Sequence, residues 1–313
     1  MIDDALALGA TLYLPATRAD LHAALFGGRV PGLRSAVVDL EDAVRDEDVP
    51  VALARLAALL RSMAASGPES GPALFARPRD PPMLSRLLRL PGVERLAGFV
   101  LPKISADTLP TWPIAELAPG HRLMPTLETR EALDSAEMRR LREQLVAVRE
   151  RVLCLRIGGN DLLNAMGLRR ARSGTAYEGP LGPAIARLVG EFAPWGFPLS
   201  APVLERYDDP RLLREEVARD VEHGLLTKTA IHPAQVPVIQ GALAVGGDEL
   251  AEARLILADD APAVFAADGA MCEPATHRRW AAALIRRAAL FGVADPLPLS
   301  ARSSGRPSRS GPR

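Results

Sequence analysis

The sequence predicts an α/β fold, a (β/α)8 TIM barrel followed by a helical arm, on three observations. Eight short apolar, β-prone runs alternate with longer stretches of helical period. The repeat averages about 30 residues, in line with the ~250 residues that eight βα units occupy. The turn after the first run reads Pro15-Ala16-Thr17-Arg18, without the glycine-rich phosphate loop typical of a doubly wound open sheet.

In chain order, strands are expected at residues 10–15, 35–40, 73–76, 96–101, 122–127, 152–157, 197–199 and 225–231. Helical stretches at 19–25, 51–64, 82–90, 137–149, 183–192 and 210–223 lie between them. The barrel therefore takes residues 1–245. Beyond it, helical stretches at 248–257 and 275–290 flank an irregular segment, 261–274, which makes residues 246–295 a helical arm with a lid. Residues 296–313 are dominated by Ser, Arg, Gly and Pro, the composition of a disordered tail.

Composition removes several classes of function. Hydrophobic residues at 48% and charged residues at 24% describe a soluble globular chain with an ample core. Lys plus Arg and Asp plus Glu balance at 38 each, so no whole-chain field draws nucleic acid. Cys154 and Cys272 are too few for a disulfide framework or a four-thiolate zinc site, and point to a reducing compartment. No run approaches the roughly 18 apolar residues of a membrane helix, and Met1-Ile2-Asp3-Asp4 is acidic where a secretory leader is basic. The expectation is a cytoplasmic protein without a nucleic-acid or membrane partner.

A barrel enzyme works at the carboxyl ends of its strands, and polar residues gather there. The second strand ends in Asp39-Leu40-Glu41-Asp42, the third in Arg77, the fourth in Lys103 and the fifth in Glu128. The sixth ends in Gly158-Gly159-Asn160-Asp161, and the eighth in Lys228 followed by His232. Glu128 and Asp161 are candidate ligands of a hard cation, Mg²⁺ or Mn²⁺, which takes one or two carboxylates and completes its shell with water and substrate oxygens. The same two residues would also serve as a helix N-terminal acid and an N-cap. Arg77 has the planar fork of a carboxylate clamp. Asp39, Glu41, Asp42, Asn160 and His232 are candidates to support these groups, although, with no Ser or Cys nucleophile motif near it, His232 is better suited to a structural role. Lys103 supports the cluster or, with a depressed pKa, forms a Schiff base with a carbonyl substrate; the surrounding carboxylates oppose that depression.

Read in order, the motifs resemble the HpcH/HpaI aldolase and citrate lyase beta-subunit family. They are Leu12-Tyr13-Leu14-Pro15-Ala16-Thr17-Arg18, Val37-Val38-Asp39-Leu40-Glu41-Asp42, Phe75-Ala76-Arg77-Pro78 and Gly98-Phe99-Val100-Leu101-Pro102-Lys103. They continue with Pro125-Thr126-Leu127-Glu128-Thr129, Gly158-Gly159-Asn160-Asp161-Leu162, Lys228-Thr229-Ala230-Ile231-His232-Pro233 and Met271-Cys272-Glu273-Pro274. The resemblance implies Mg²⁺-dependent making or breaking of a carbon–carbon bond beside a carboxylate or an acyl thioester. Carried over by position, Glu128 and Asp161 hold the metal, with Glu128 also facing the substrate, and Arg77 binds the substrate carboxylate. Glu273 stands where the family has an aspartate on a C-terminal lid; it or a cation-bound water moves the proton. In relatives that lid reaches a neighbouring subunit, which implies a homo-oligomer, a trimer or hexamer.

Two departures bear on the substrate. The family opens its first motif with Arg-Ser where this chain has Gly9-Ala10, and has Pro-Gly at Pro15-Ala16. Loss of the arginine argues against a CoA ester and favours a small carboxylate or 2-oxo acid. The opening and the Gly-Gly-Asn-Asp-Leu motif are most similar to the branch of carbon–carbon lyases found with tellurium-resistance and stress gene clusters. A CoA-ester lyase or thioesterase of the citrate or malyl-CoA type, and a non-catalytic partner-binding barrel, are the alternatives.

Overall fold

Eight parallel strands form the centre of the computed structural model, which describes residues 3–65 and 71–294. They are β1 (Ala10–Pro15), β2 (Ser35–Asp39), β3 (Ala73–Arg77), β4 (Gly98–Leu101), β5 (Arg122–Leu127), β6 (Leu155–Ile157), β7 (Leu199–Ser200) and β8 (Lys228–Ala230). Their order, β7-β6-β5-β4-β3-β2-β1-β8, is sequential apart from the return of β8 to β1. Ala201, just after β7, closes the ring. Its N–H donates to the Thr227 carbonyl at 2.8 Å, and its own carbonyl accepts from Thr229 N–H at 3.3 Å.

The strands read as near-continuous apolar runs because both faces are covered. Inside the barrel, Val37, Phe75, Val100 and Met124 form one buried cluster with Leu8 and Cys154, and Tyr13 packs against it. Outside lie α1 (Leu21–Phe26), α2 (Val49–Ala65), α3 (Pro81–Leu87), α4 (Ser135–Ala147), α5 (Gly159–Ala165), α6 (Leu181–Phe192), α7 (Pro210–Glu222) and α8 (Gln235–Ala242). Asp80, Asp134 and Asp209 cap α3, α4 and α7 through side-chain bonds to first-turn amides. Between β4 and β5 there are only two 3-10 turns, Leu109–Thr111 and Ile114–Glu116. Pro110, Pro113 and Pro119 withhold the amides a helix would need there.

The chain divides after Leu243. In the second unit, α9 (Gly247–Leu257) and α10 (Pro274–Phe291) enclose a small core of Val245, Leu250, Ala253, Ile256, Cys272, Ala281 and Leu284. The segment expected to be irregular contains a hairpin, Phe265–Ala267 against Ala270–Cys272. Asp268 and Gly269 both take positive φ, 46° and 75°, the signature of a two-residue hairpin turn. Its three-residue strands are too short and exposed to show a period. The tail expected at 296–313 lies outside the described residues. No described helix is long and apolar enough to cross a membrane.

Lys228 departs from its expected place on the rim. The pleat turns Thr229 inward and Lys228 outward against α7, where its Nζ reaches Glu216 Oε1 at 2.9 Å and Asp220 Oδ2 at 2.8 Å. Tyr177 donates to the other Asp220 oxygen at 2.6 Å, and Arg170 pairs with Glu216. Replacing Lys228 by Met would leave two buried carboxylates short of a cation and is expected to cost about 3–5 kcal/mol, read as a lower urea midpoint at unchanged m-value.

Candidate active site

The carboxyl ends of the strands enclose a cavity of ≈ 400 Å³. Its upper wall carries Asp39, Asp42, Arg77, Glu128, Asn160 and Asp161; deeper lie Tyr13, Thr126, Arg156 and Thr229. The arrangement follows from the pleat: inward side chains recur every second residue, so Val37 and Phe75 fill the core while Asp39 and Arg77, two residues on, reach the mouth.

Asp39 and Arg77 are direct partners in the β2–β3 register. Arg77 Nε and Nη2 donate to the two Asp39 oxygens at 2.7 and 2.6 Å. Asp39 also accepts the amides of Glu41 at 3.0 Å and Ala43 at 3.3 Å, so it shapes the turn after β2. The remaining Arg77 nitrogen, Nη1, faces Glu41 at 2.9 Å and Asp42 at 3.3 Å. Burial works against the Arg77 charge, but the hydrogen bonds and charge of Asp39 outweigh it and raise its pKa. Lys103 Nζ joins the cluster through Glu41 and through Asp42 at 3.3 Å. Burial alone would lower its pKa; the Glu41 hydrogen bond and the acidic neighbours raise it instead. The amine is held as an ammonium, contrary to what a Schiff-base nucleophile needs.

Glu128 is held differently. It is 4% exposed, and its Oε1 accepts the backbone N–H of Lys103 at 2.8 Å. Lys103 takes φ 52° to present that amide, one of two non-glycine residues with positive φ among the described residues. Gly158 is required beneath: any Cβ there would run into the Glu128 side chain. Asp161 lies in the first turn of α5, half-buried. Neither Glu128 nor Asp161 has an ion-pair partner among the described residues, in contrast with the crowded Arg77 cluster. Burial, aided by the charge of Asp161, pushes Glu128 up to about 7. Burial and the charge of Asp42 likewise raise Asp161. Two carboxylates whose ionisation is opposed by burial and by acidic neighbours, and which have no ion-pair partner among the described residues, suit a hard divalent ion. No group of three or more His, Cys, Asp or Glu able to hold a metal occurs among the described residues, so such an ion would draw further ligands from water and substrate.

Of the residues singled out in the sequence, Asp39, Asp42, Arg77, Glu128, Asn160 and Asp161 meet at one cavity, with Glu41 and Lys103 bonded to that group. His232 does not join them. It is exposed and stacked on Tyr207 at 4.8 Å, and its Nδ1 accepts the Ala234 amide at 3.2 Å, a turn-forming role. Glu273 belongs to the second unit, where it precedes α10 and its amide donates to His277 Nδ1 at 3.0 Å. Tyr13, Thr126, Arg156 and Thr229 line the cavity without having been expected there. Arg156 had a visible signal, a charge between Leu155 and Ile157 in a strand otherwise built for burial.

Glu128 binds its proton more tightly in the folded chain, near pH 7, than at its ordinary 4.5. Between those values the folded state holds the extra proton, so stability falls as pH rises through this window, by up to about 3 kcal/mol. Thermal melts of the metal-free protein at pH 4.5 to 7.5 should show that loss, and Glu128→Gln should remove this component.

No curated protein sequence matches the chain. Among solved structures, a citrate lyase of Burkholderia xenovorans is similar at 20% identity and TM-score 0.70, over 92% of this chain and 94% of that one. The Mycobacterium tuberculosis protein CitE, in complex with magnesium, acetoacetate and coenzyme A, is similar at 22% identity and TM-score 0.66, over 91% and 99%. The citrate lyase beta subunit of the same organism, complexed with oxaloacetate and magnesium, gives 21% and 0.56, over 77% and 99%. At these identities the likeness is one of fold. The family described as C-C bond lyase of the TIM-barrel fold matches residues 3–293, and this chain therefore belongs to that family of carbon–carbon lyases.

Proposed function

We propose that this lyase binds Mg²⁺ between Glu128 and Asp161 and acts on a 2-oxo acid or its hydroxy-acid aldol adduct. The observation that carries the reading is the pair of carboxylates at the barrel mouth, without ion-pair partners among the described residues, in a chain of carbon–carbon lyase family. Similar folds crystallised with magnesium and small carboxylates support it. A divalent cation held by Glu128 and Asp161 would supply Lewis-acid stabilisation of negative charge on a substrate oxygen.

The protein's own groups do the positioning. The Lys103 amide fixes one Glu128 oxygen, leaving the other for the cavity. Asp39 locks the Arg77 fork, so that only Nη1 is left to share between Glu41, Asp42 and a substrate carboxylate. Asn160 offers an amide beside Asp161. Gly9, with φ 54° and Gln240 packed against it, has a backbone that disfavours the arginine its relatives carry, which supports a substrate without CoA. Glu273 is assigned proton transfer from its place in the lid motif.

Calorimetry should find Mg²⁺ binding in the wild type and none in Glu128→Ala or Asp161→Ala, with circular dichroism unchanged; undiminished affinity in both variants would overturn the assignment. Glu273→Gln should lower turnover by on the order of 10²-fold at nearly constant substrate affinity, and full activity would remove Glu273 from the mechanism.

A further inference from the structure

The cavity contains two guanidinium groups in opposite circumstances. Arg77 is crowded by three carboxylates, Asp39, Glu41 and Asp42. Arg156 is 2% exposed and has no carboxylate partner among the described residues. Its Nη2 donates to Thr229 Oγ1 at 2.6 Å, and its Nη1 reaches only Thr11 Oγ1 at 3.5 Å and the Met124 sulfur at 3.6 Å. The guanidinium carbon lies 5.3 Å from the centre of the Tyr13 ring.

A buried cation without a counter-ion is costly, and proteins rarely keep one unless something pairs it. A second polar group beside it is equally unanswered. Thr126 is the direct register partner of Arg156, and its buried hydroxyl has no hydrogen-bond partner among the described residues. Arg156, Thr126 and Thr229 all line the cavity. Together they offer a planar fork, an unused hydroxyl and a hydroxyl already oriented by the fork, which matches a carboxylate.

The depth of this group relative to the metal-ligand candidates follows from the strands. Thr126 and Glu128 are two residues apart on one inward row, so the Arg156–Thr126 level lies about 6–7 Å below the Glu128 level. A short carbon chain spans that depth. We propose that Arg156, Thr126 and Thr229 form a receptor for a second carboxylate of the substrate, so that the lyase takes a dicarboxylate with its 2-oxo end at Glu128 and Asp161 and its far end at the barrel floor. This rests on the Mg²⁺ and 2-oxo acid reading above, and it assigns the far carboxylate to Arg156 rather than to the occupied Arg77.

The test measures binding, with Mg²⁺ present, of oxaloacetate, 2-oxoglutarate and 2-oxoadipate against pyruvate, 2-oxobutyrate and 2-oxovalerate. Wild type should bind at least one dicarboxylate ten-fold or more tightly than its monocarboxylate counterpart. Arg156→Met should abolish that preference while Mg²⁺ affinity and monocarboxylate affinity stay within two-fold. Its melting temperature should hold or rise, since an uncompensated charge is removed. Thr126→Val should weaken only the dicarboxylate, and Arg156→Lys should restore part of the preference; these two variants carry the test should Arg156→Met fail to fold. Monocarboxylates bound as tightly as dicarboxylates, or parallel loss of both classes in the variants, would overturn the inference and leave the functional reading standing. Absence of Mg²⁺-dependent binding of any acid by the wild type would overturn that reading, and the inference with it.

Discussion

The Asp39–Arg77 fork is the constraint on which the mouth of the barrel depends. It ties β2 to β3 at their last register position, and the same aspartate accepts the amides that turn the chain after β2. That turn delivers Glu41 and Asp42, which in turn hold the Lys103 ammonium. Lys103 then presents its amide to Glu128 from a left-handed backbone. One buried ion pair thus sets a chain of positions running across β2, β3, β4 and β5. With its Nε and Nη2 bound to Asp39, Arg77 keeps only Nη1 toward the cavity, in contrast with Glu128 and Asp161, which have no ion-pair partner among the described residues.

Much of this was legible in the sequence, and the reasons are physical. The barrel follows from the alternation of apolar runs with helical periods, because a strand covered on both faces has to be apolar throughout. Arg77 and Glu128 were legible because they stand directly after such runs, and Asp39 and Asp161 because they fall at or shortly beyond the end of one, where chain order and rim position coincide. Strand ends were less so: β6 begins at Leu155 and β8 at Lys228, later than their apolar runs suggest, since hydrophobic residues also fill the approach to a strand. Lys228 shows the limit of reading by position alone. A one-residue change of parity moves a side chain from the cavity to the helical layer, and the sequence does not mark parity where both faces are buried.

His232 and Arg156 differ in what position alone conveys. A histidine beside a strand end is open to a supporting or a structural role, and its ring stacks on Tyr207 at the surface. Arg156, within a strand, draws no reading from the sequence, yet it lines the cavity below the mouth. In both cases the decisive fact is a three-dimensional neighbour, a tyrosine in one and a missing carboxylate in the other. The hairpin at Phe265–Ala267 and Ala270–Cys272 was half visible, in its Asp268-Gly269 turn.

The ring is not held with equal strength all round. The β1–β2 and β2–β3 ladders run through five register positions each, whereas β3–β4, β5–β6 and β6–β7 have two each and β7 meets β8 at one bridge. Where a ladder is short, fewer backbone hydrogen bonds hold the neighbouring strands together, and local opening costs less free energy. The Asp39–Arg77 pair accordingly closes the end of one of the two longest ladders, and its side-chain bonds reinforce β3 just where pairing to β4 gives out.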